Sequence, residues 1–276
     1  MEGGILCVPV LMAKKKPFSE TKRFHLLALC VYPIVASIFS LGTHATPLTS
    51  TLIFLFIPCA YLTLLLPDFF RKGALFSTIL AIPFIIIVDY VGQVNGQWFI
   101  TQTAFPLRLL GIVALEDVLW AFLLSYFMLA FYEYFFDTHR DRSLWPSHLK
   151  YLILILTAIS FVVAGISAFT PQLLHISYFY LRIGLIGIFV PMVGEFLRRP
   201  KLIYGAFLTG AYFFVFALVY ELTALKLDWL IFPGKDFIGW VTIFGASFPF
   251  EEFFFWIILT AMSSIAYYEF FDDNER

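Results

Sequence analysis

Charge is scarce in this chain, because only 13% of its 276 residues are Asp, Glu, Lys or Arg and the formal net charge is -1. No basic face with interleaved aromatic residues occurs, so no binding to nucleic acid is expected. The polar residues are also too few to cover the surface of a soluble globule. The composition therefore points away from a soluble fold.

Cysteine is equally rare, with Cys7, Cys30 and Cys59 scattered through apolar or terminal segments. Three separated cysteines predict neither a disulfide framework nor a metal motif, and the histidines form no spaced ligand set with carboxylates. A Gly-x-Gly-x-x-Gly segment between a strand and a helix is missing too, which excludes a flavin enzyme with a dinucleotide-binding fold. We expect neither a cofactor nor a metal.

Apolar residues dominate instead: 61% of the chain is hydrophobic and 20% is aromatic, with a mean hydropathy of +0.88. This composition is typical of an integral membrane protein. Apolar runs close to the ~20 residues that a bilayer-spanning helix needs predict about eight transmembrane helices. The predicted spans are residues 24–42, 48–67, 74–91, 109–132, 149–168, 172–193, 202–222 and 240–268.

The basic residues of the loops predict the orientation. Arg108, Lys226 and Lys235 fall on one side of the predicted spans, whereas the other loop Lys and Arg residues fall on the opposite side. Basic residues accumulate on the cytoplasmic side, so we expect a multi-pass protein of the cell membrane with both termini cytoplasmic. Arg182 lies within a span, and we expect it to pair with a buried acid.

The two halves of the chain are similar to each other. The segment that aligns best without a gap, at an offset of 135 residues, matches ALEDVLWAFLLSYFMLAFYEYFFD with PFEEFFFWIILTAMSSIAYYEFFD, so that Tyr132 corresponds to Tyr267. We therefore predict an all-α membrane protein with a four-plus-four internal duplication. Its parts are a cytoplasmic N-terminal tail (1–23), a first membrane repeat (24–137) and a second membrane repeat (138–276).

Each half contains an acidic pair inside an apolar run: Glu116 with Asp117, and Glu251 with Glu252. A carboxylate in hydrocarbon costs several kcal/mol, so these pairs are the first candidates for chemistry. Neighbours on a helix diverge by about 100°. One acid of each pair is thus expected to face a cavity while the other holds an Arg, a hydroxyl or the opposite half. A purely structural clasp between the halves is the alternative.

Further candidate residues flank the pairs. Asp89 and Glu221 are expected to end the preceding helices at the water boundary, where solvated acids are ordinary. Trp98 and Trp229 follow them, either as anchors at the membrane interface or as cavity lining. Helical spacing also predicts an aromatic wall around the acids, which favours a neutral, proton-donating carboxyl group and stabilises a nearby cation. The wall residues are Trp120, Phe254, Phe255 and Trp256.

These motifs resemble those of the membrane lycopene cyclases of the two-subunit bacterial and fused fungal-archaeal type. The shared pattern is an acidic residue, a Gly-x-Trp segment, a Pro-x-Glu-Glu/Asp motif followed by bulky aromatics, and a Tyr-Glu-like end, used twice. In this chain Ala114 stands where the family has Pro, while the second half retains Pro249. The second pair is therefore expected to supply the main proton donor, and the first pair to act as base or support.

The resemblance implies a redox-neutral isomerase of carotenoid biosynthesis, which closes the linear end group of lycopene or a similar carotenoid into an ionone-type ring. Its expected partners are the carotenoid substrate, the lipid bilayer and other enzymes of carotenoid biosynthesis. Two alternatives stay open: a hydratase that adds water to the same cation, and a proton-coupled transporter or carotenoid-binding protein built on a duplicated bundle.

Overall fold

The computed structural model describes residues 19–137, 144–146 and 148–272, so residues 1–18 of the expected N-terminal tail lie outside the described part. Eight helices in the described residues are long and apolar enough to cross a membrane. The chain is an all-α, multi-pass membrane protein. The helices are α1 (Glu20–Thr43), α2 (Pro47–Leu65), α3 (Phe70–Val94), α4 (Leu115–Phe135), α5 (Leu149–Phe169), α6 (Phe179–Arg198), α7 (Leu202–Lys226) and α8 (Glu252–Phe271).

Short strands occupy the connections that follow α3 and α7. They are β1 (Phe99–Ile100), β2 (Arg108–Leu109), β3 (Val113–Ala114), β4 (Leu230–Ile231), β5 (Trp240–Ile243) and β6 (Ala246–Pro249). β2 pairs with β3 and β5 with β6, so a hairpin precedes both α4 and α8. β1 pairs with β4, which joins the connection after α3 to the connection after α7.

Three predicted spans begin too early. The predicted fourth and eighth spans, from residues 109 and 240, take in the hairpins, and the predicted sixth span, from residue 172, takes in a 3₁₀ helix at Pro171–Leu174. In the second hairpin, Phe244 and Gly245 have φ angles of 49° and 82°, which is the left-handed pair that a two-residue hairpin loop requires. Hydropathy detects apolar length, and an apolar hairpin is therefore read as part of a helix.

The helices pack in a reciprocal arrangement. α1 packs against α7 while α5 packs against α3, and α4 meets α8 in the middle of the bundle. α4 is the most enclosed of the described helices and α5 the least. Exposed apolar side chains such as Phe161 on α5 are therefore available to lipid, as expected for a membrane-spanning bundle.

Contacts between α4 and α8 are also reciprocal. The Tyr132 hydroxyl donates to Glu269 Oε1 at 2.8 Å, and the Tyr268 hydroxyl donates to Glu133 Oε1 at 2.5 Å. Tyr132 thus has Tyr268 as its counterpart, one residue beyond the Tyr267 that the ungapped alignment assigns. Residues 252–259 of α8 form a π-helix, and a π-turn accommodates an inserted residue without ending the helix. The π-helix explains the change of register.

Removing either buried hydroxyl should destabilise the bundle. We expect Tyr268→Phe to lower the free energy of unfolding by about 1–3 kcal/mol, because Glu133 Oε1 loses its donor in a buried site. The measurement is thermal unfolding in detergent, followed by circular dichroism. Tyr151→Phe is the control, since its ring is half exposed and the Lys150 ammonium contact survives the change. Equal melting temperatures for both variants would contradict the expectation.

Candidate active site

A cavity lies where α3 and α7 end and where α4 and α8 begin. About 810 Å³ of space free of protein atoms, including the mouth, is bounded by side chains from these four helices, from α2 and α6, and from the β1–β4 pair. Five acidic residues line it together: Asp89, Glu116, Asp117, Glu221 and Glu252. Each of the four helices therefore contributes at least one carboxyl group to a shared space.

The acidic pairs divide as helix geometry predicts. Asp117 and Glu252 line the cavity, while the first acid of each pair binds the backbone of the preceding connection. Glu116 also borders the cavity, and its Oε1 accepts hydrogen bonds from the N–H groups of Ala104 and Phe105, the latter at 2.9 Å. Glu251 Oε1 accepts from Ile238 N–H at 2.8 Å. Glu116 and Glu251 therefore bind loop amides. The sequence had predicted an Arg, a hydroxyl or the opposite half as the partner of such an acid.

Asp89 and Glu221 are not at the water boundary, so that expectation is wrong. α3 and α7 continue by more than a turn beyond them, and the two residues are only 5% and 6% exposed. Asp89 Oδ1 accepts a hydrogen bond of 3.0 Å from Trp98 Nε1. Asp89 Oδ2 is buried and has no hydrogen-bond partner among the described residues. The connection that follows each helix folds back over it and places a buried Trp beside the cavity.

Trp98 and Trp229 are buried and line the cavity, so they are not anchors at the membrane interface. The Trp98 ring lies against the backbone of α3 at Gly92, where a Cβ atom would overlap the indole. The ring also contacts Tyr180, with 4.8 Å between the ring centroids. Gly92 is therefore needed for the position of Trp98 and for its hydrogen bond to Asp89.

The predicted aromatic wall is half right. Trp120 and Trp256 line the cavity and stack on each other, with centroids 5.7 Å apart. Phe254 and Phe255 do not line it: Phe254 stacks on Phe250, and Phe255 packs against Gly184 of α6. Because hydrogen bonds in the π-helix reach five residues along the chain, its side chains do not follow the α-helical spacing used in the prediction.

No family model, curated protein or solved structure matches this chain. The chemistry of the site therefore follows from its own side chains.

Sequence reasoning missed two tyrosines at the cavity. Tyr180, at the start of α6, donates its hydroxyl hydrogen bond to Glu252 Oε2. Tyr220 contacts the hydroxyl of Thr51 at 3.3 Å, and its ring lies 6.2 Å from that of Trp120. Tyr220 had a signal, since it adjoins Glu221. Tyr180 had none, because its partner lies more than seventy residues away in the chain.

Arg182 does not pair with a buried acid, so that expectation is wrong as well. Its side chain is exposed, and no carboxylate of the described residues forms an ion pair with it. Successive helical residues turn by about 100°, so Arg182 points away from the direction taken by Tyr180. The cavity thus contains no compensating cation from α6.

The hydrogen bonds distinguish the carboxyl groups of Asp89 and Asp117 from that of Glu252. Asp89 Oδ1 accepts from Trp98, whereas Asp117 Oδ2 is buried and accepts from no donor among the described residues, so the proton on this side of the cavity is assigned to Asp117. Glu252 accepts from Tyr180 and requires no proton of its own for that bond. The cavity therefore has a proton donor on one side and an acceptor on the other.

Proposed function

We propose that the protein is a carotenoid end-group cyclase that resembles the membrane lycopene cyclases. The observation that carries the proposal is a cavity lined by five carboxyl groups and four indole rings. Carboxyl groups provide a general acid and a general base. Electron-rich ring faces stabilise a carbocation in a space that excludes bulk water.

In the proposed reaction, Asp117 transfers its proton to the terminal double bond of the linear end group, which leaves a tertiary carbocation. The neighbouring double bond attacks this cation, and a new carbon–carbon bond closes the ring. Glu252 then removes a proton from a carbon next to the displaced charge, which forms the ring double bond. One proton is added and one is removed, so the product is an isomer of the substrate. Asp117 and Glu252 border the same cavity. The proton returns across this cavity to Asp117.

This assignment differs from the expectation that the second acidic pair supplies the proton. Support comes from the hydrogen bonds: Asp117 Oδ2 is buried without a donor, which favours the protonated acid, whereas Glu252 Oε2 accepts from the Tyr180 hydroxyl. Glu116 and Glu251 hold the connections that cover the cavity, and they have no direct part in the proposed proton transfers.

The proposal includes an internal duplication of four helices each. Reciprocal contacts support it: the two Tyr–Glu bonds between α4 and α8, the Trp120–Trp256 stack and the β1–β4 pairing all join corresponding parts of the two halves. Under this arrangement the acid-lined cavity lies on the axis that relates the halves. Each half then contributes half of one active site.

We further propose that both termini are cytoplasmic and that the membrane is the cell membrane. Eight crossings bring the start of α1 and the end of α8 to the same side. Lys72, Arg198 and Arg199 lie at that end of the bundle, whereas Arg108 and Lys226 lie at the cavity end. An excess of basic residues is typical of the cytoplasmic side.

Expression in cells that accumulate lycopene tests the function. We expect cyclised pigment with unchanged mass, identified by chromatography and mass spectrometry. A product heavier by one water would identify a hydratase instead. Unchanged lycopene, with the protein detected in the membrane fraction, would reject both reactions and favour a binding or transport protein.

A further inference from the structure

A second, smaller cavity adjoins the first on the side toward the middle of the membrane. The two share four lining residues: Trp120, Tyr220, Glu221 and Trp256. The second cavity lies between α4, α7 and α8 and continues along α4 as far as Met128. At a rise of 1.5 Å per residue, it extends about 12 Å beyond Trp120. We call this space the apolar cleft.

The chemistry of the apolar cleft differs from that of the acid-lined cavity. Beyond the four shared residues, its lining is entirely apolar and includes the small side chains of Ala217 and Ala261. Phe213 and Phe216 form one wall, and both rings pack edge-on against Phe127, with centroids 4.9 and 5.3 Å apart. These interlocked rings make the wall stiff. A polar group would find no hydrogen-bond partner there.

We infer that the apolar cleft binds the hydrocarbon chain of the substrate next to the end group that reacts in the acid-lined cavity. This inference rests on the proposed function and assigns a binding site to the unreactive part of the molecule. The occupant is a long, linear polyene, because the cleft continues directly from the acids and, beyond the four shared residues, offers only apolar and aromatic contacts. Binding there positions the end group against the carboxyl groups.

Ala217 and Ala261 determine the width of the cleft, since larger side chains at these positions would fill it. Ala217→Leu is the informative variant. Ala211→Leu is the matched control, because Ala211 is on the same helix but is exposed on the outer surface. Both changes add the same volume to α7.

Two substrates separate the cleft from the acid-lined cavity. Lycopene carries the full chain, whereas geranylacetone has the same isoprenoid end group on a short chain. We expect Ala217→Leu to lower conversion of lycopene by about tenfold or more relative to Ala211→Leu. Conversion of geranylacetone should stay within about twofold of the control, because it does not need the cleft.

Binding is measured separately through quenching of tryptophan fluorescence by lycopene, which requires no turnover. If the unsubstituted protein binds lycopene but forms no ring, and Ala217→Leu weakens binding, the cleft is supported and the cyclase function is rejected. The inference would be overturned if Ala217→Leu lowered the conversion of both substrates equally. It would also be overturned if Ala217→Leu and Ala211→Leu converted and bound lycopene equally. Absence of both binding and conversion in the unsubstituted protein would overturn the cyclase function and the cleft together.

Discussion

Asp117→Asn and Glu252→Gln should each reduce ring formation by about 100- to 10,000-fold, the usual contribution of a general acid or base. Asparagine has nearly the same shape as aspartate, and the glutamine carbonyl still accepts the hydrogen bond from Tyr180. The shape and hydrogen bonding of the cavity are therefore retained while the exchangeable proton is lost. Pigment formed per unit of membrane protein is the measurement.

Glu116→Gln and Glu251→Gln are the matched controls. Each is the same chemical change one residue earlier, and an amide oxygen can still accept the bonds from Phe105 or Ile238 N–H. We expect both controls to keep activity within about tenfold of the original protein. If a control lost activity as fully as its neighbour while its membrane yield stayed normal, the division of each pair into cavity acid and loop acid would be wrong.

Gly92→Ala should produce the second large loss. A methyl group at this position overlaps the six-membered ring of Trp98, and neither the rigid indole nor the helix backbone can yield cheaply. The indole must move, and its hydrogen bond to Asp89 and its contact with Tyr180 are then lost. We expect overpacking to lower the free energy of unfolding by about 1–3 kcal/mol. Ring formation should fall much further than it does in any surface variant.

Gly165→Ala is the control for this change. Gly165 lies in α5, where an added Cβ meets nothing within 4 Å, so the substitution should be neutral or slightly stabilising. Unfolding in detergent and pigment formation are measured for both variants. A Gly92→Ala protein with normal melting temperature and normal activity would show that the indole position is unimportant.

The sequence predicted the membrane class, the number of helices and the acids that border the cavity. Hydropathy found the helices because length and apolarity are enough for that purpose. It missed the true starts of α4 and α8, since an apolar hairpin such as β5–β6 has the same composition as a helix. The different orientations of Glu251 and Glu252 followed from helical geometry alone.

Long-range contacts could not be predicted in the same way. The burial of Asp89 depends on a later connection that folds back to place Trp98 over it, and Tyr180 reaches Glu252 from a different helix. The π-helix at residues 252–259 changed which aromatic residues face the cavity, and no residue type marks such a helix in the sequence. Arg182 was misassigned because side-chain direction, rather than depth in the span, decides its neighbours.

The halves of the bundle are joined at both ends of the membrane. At the cavity end they are joined by the β1–β4 ladder, and at the opposite end by the hydroxyl bonds of Tyr132 and Tyr268. A protein that moves solute by alternating access must rock one bundle against the other and open these ends in turn. Here each opening would break hydrogen bonds that join the halves in every cycle. A bundle held at both ends suits a reaction chamber of fixed shape.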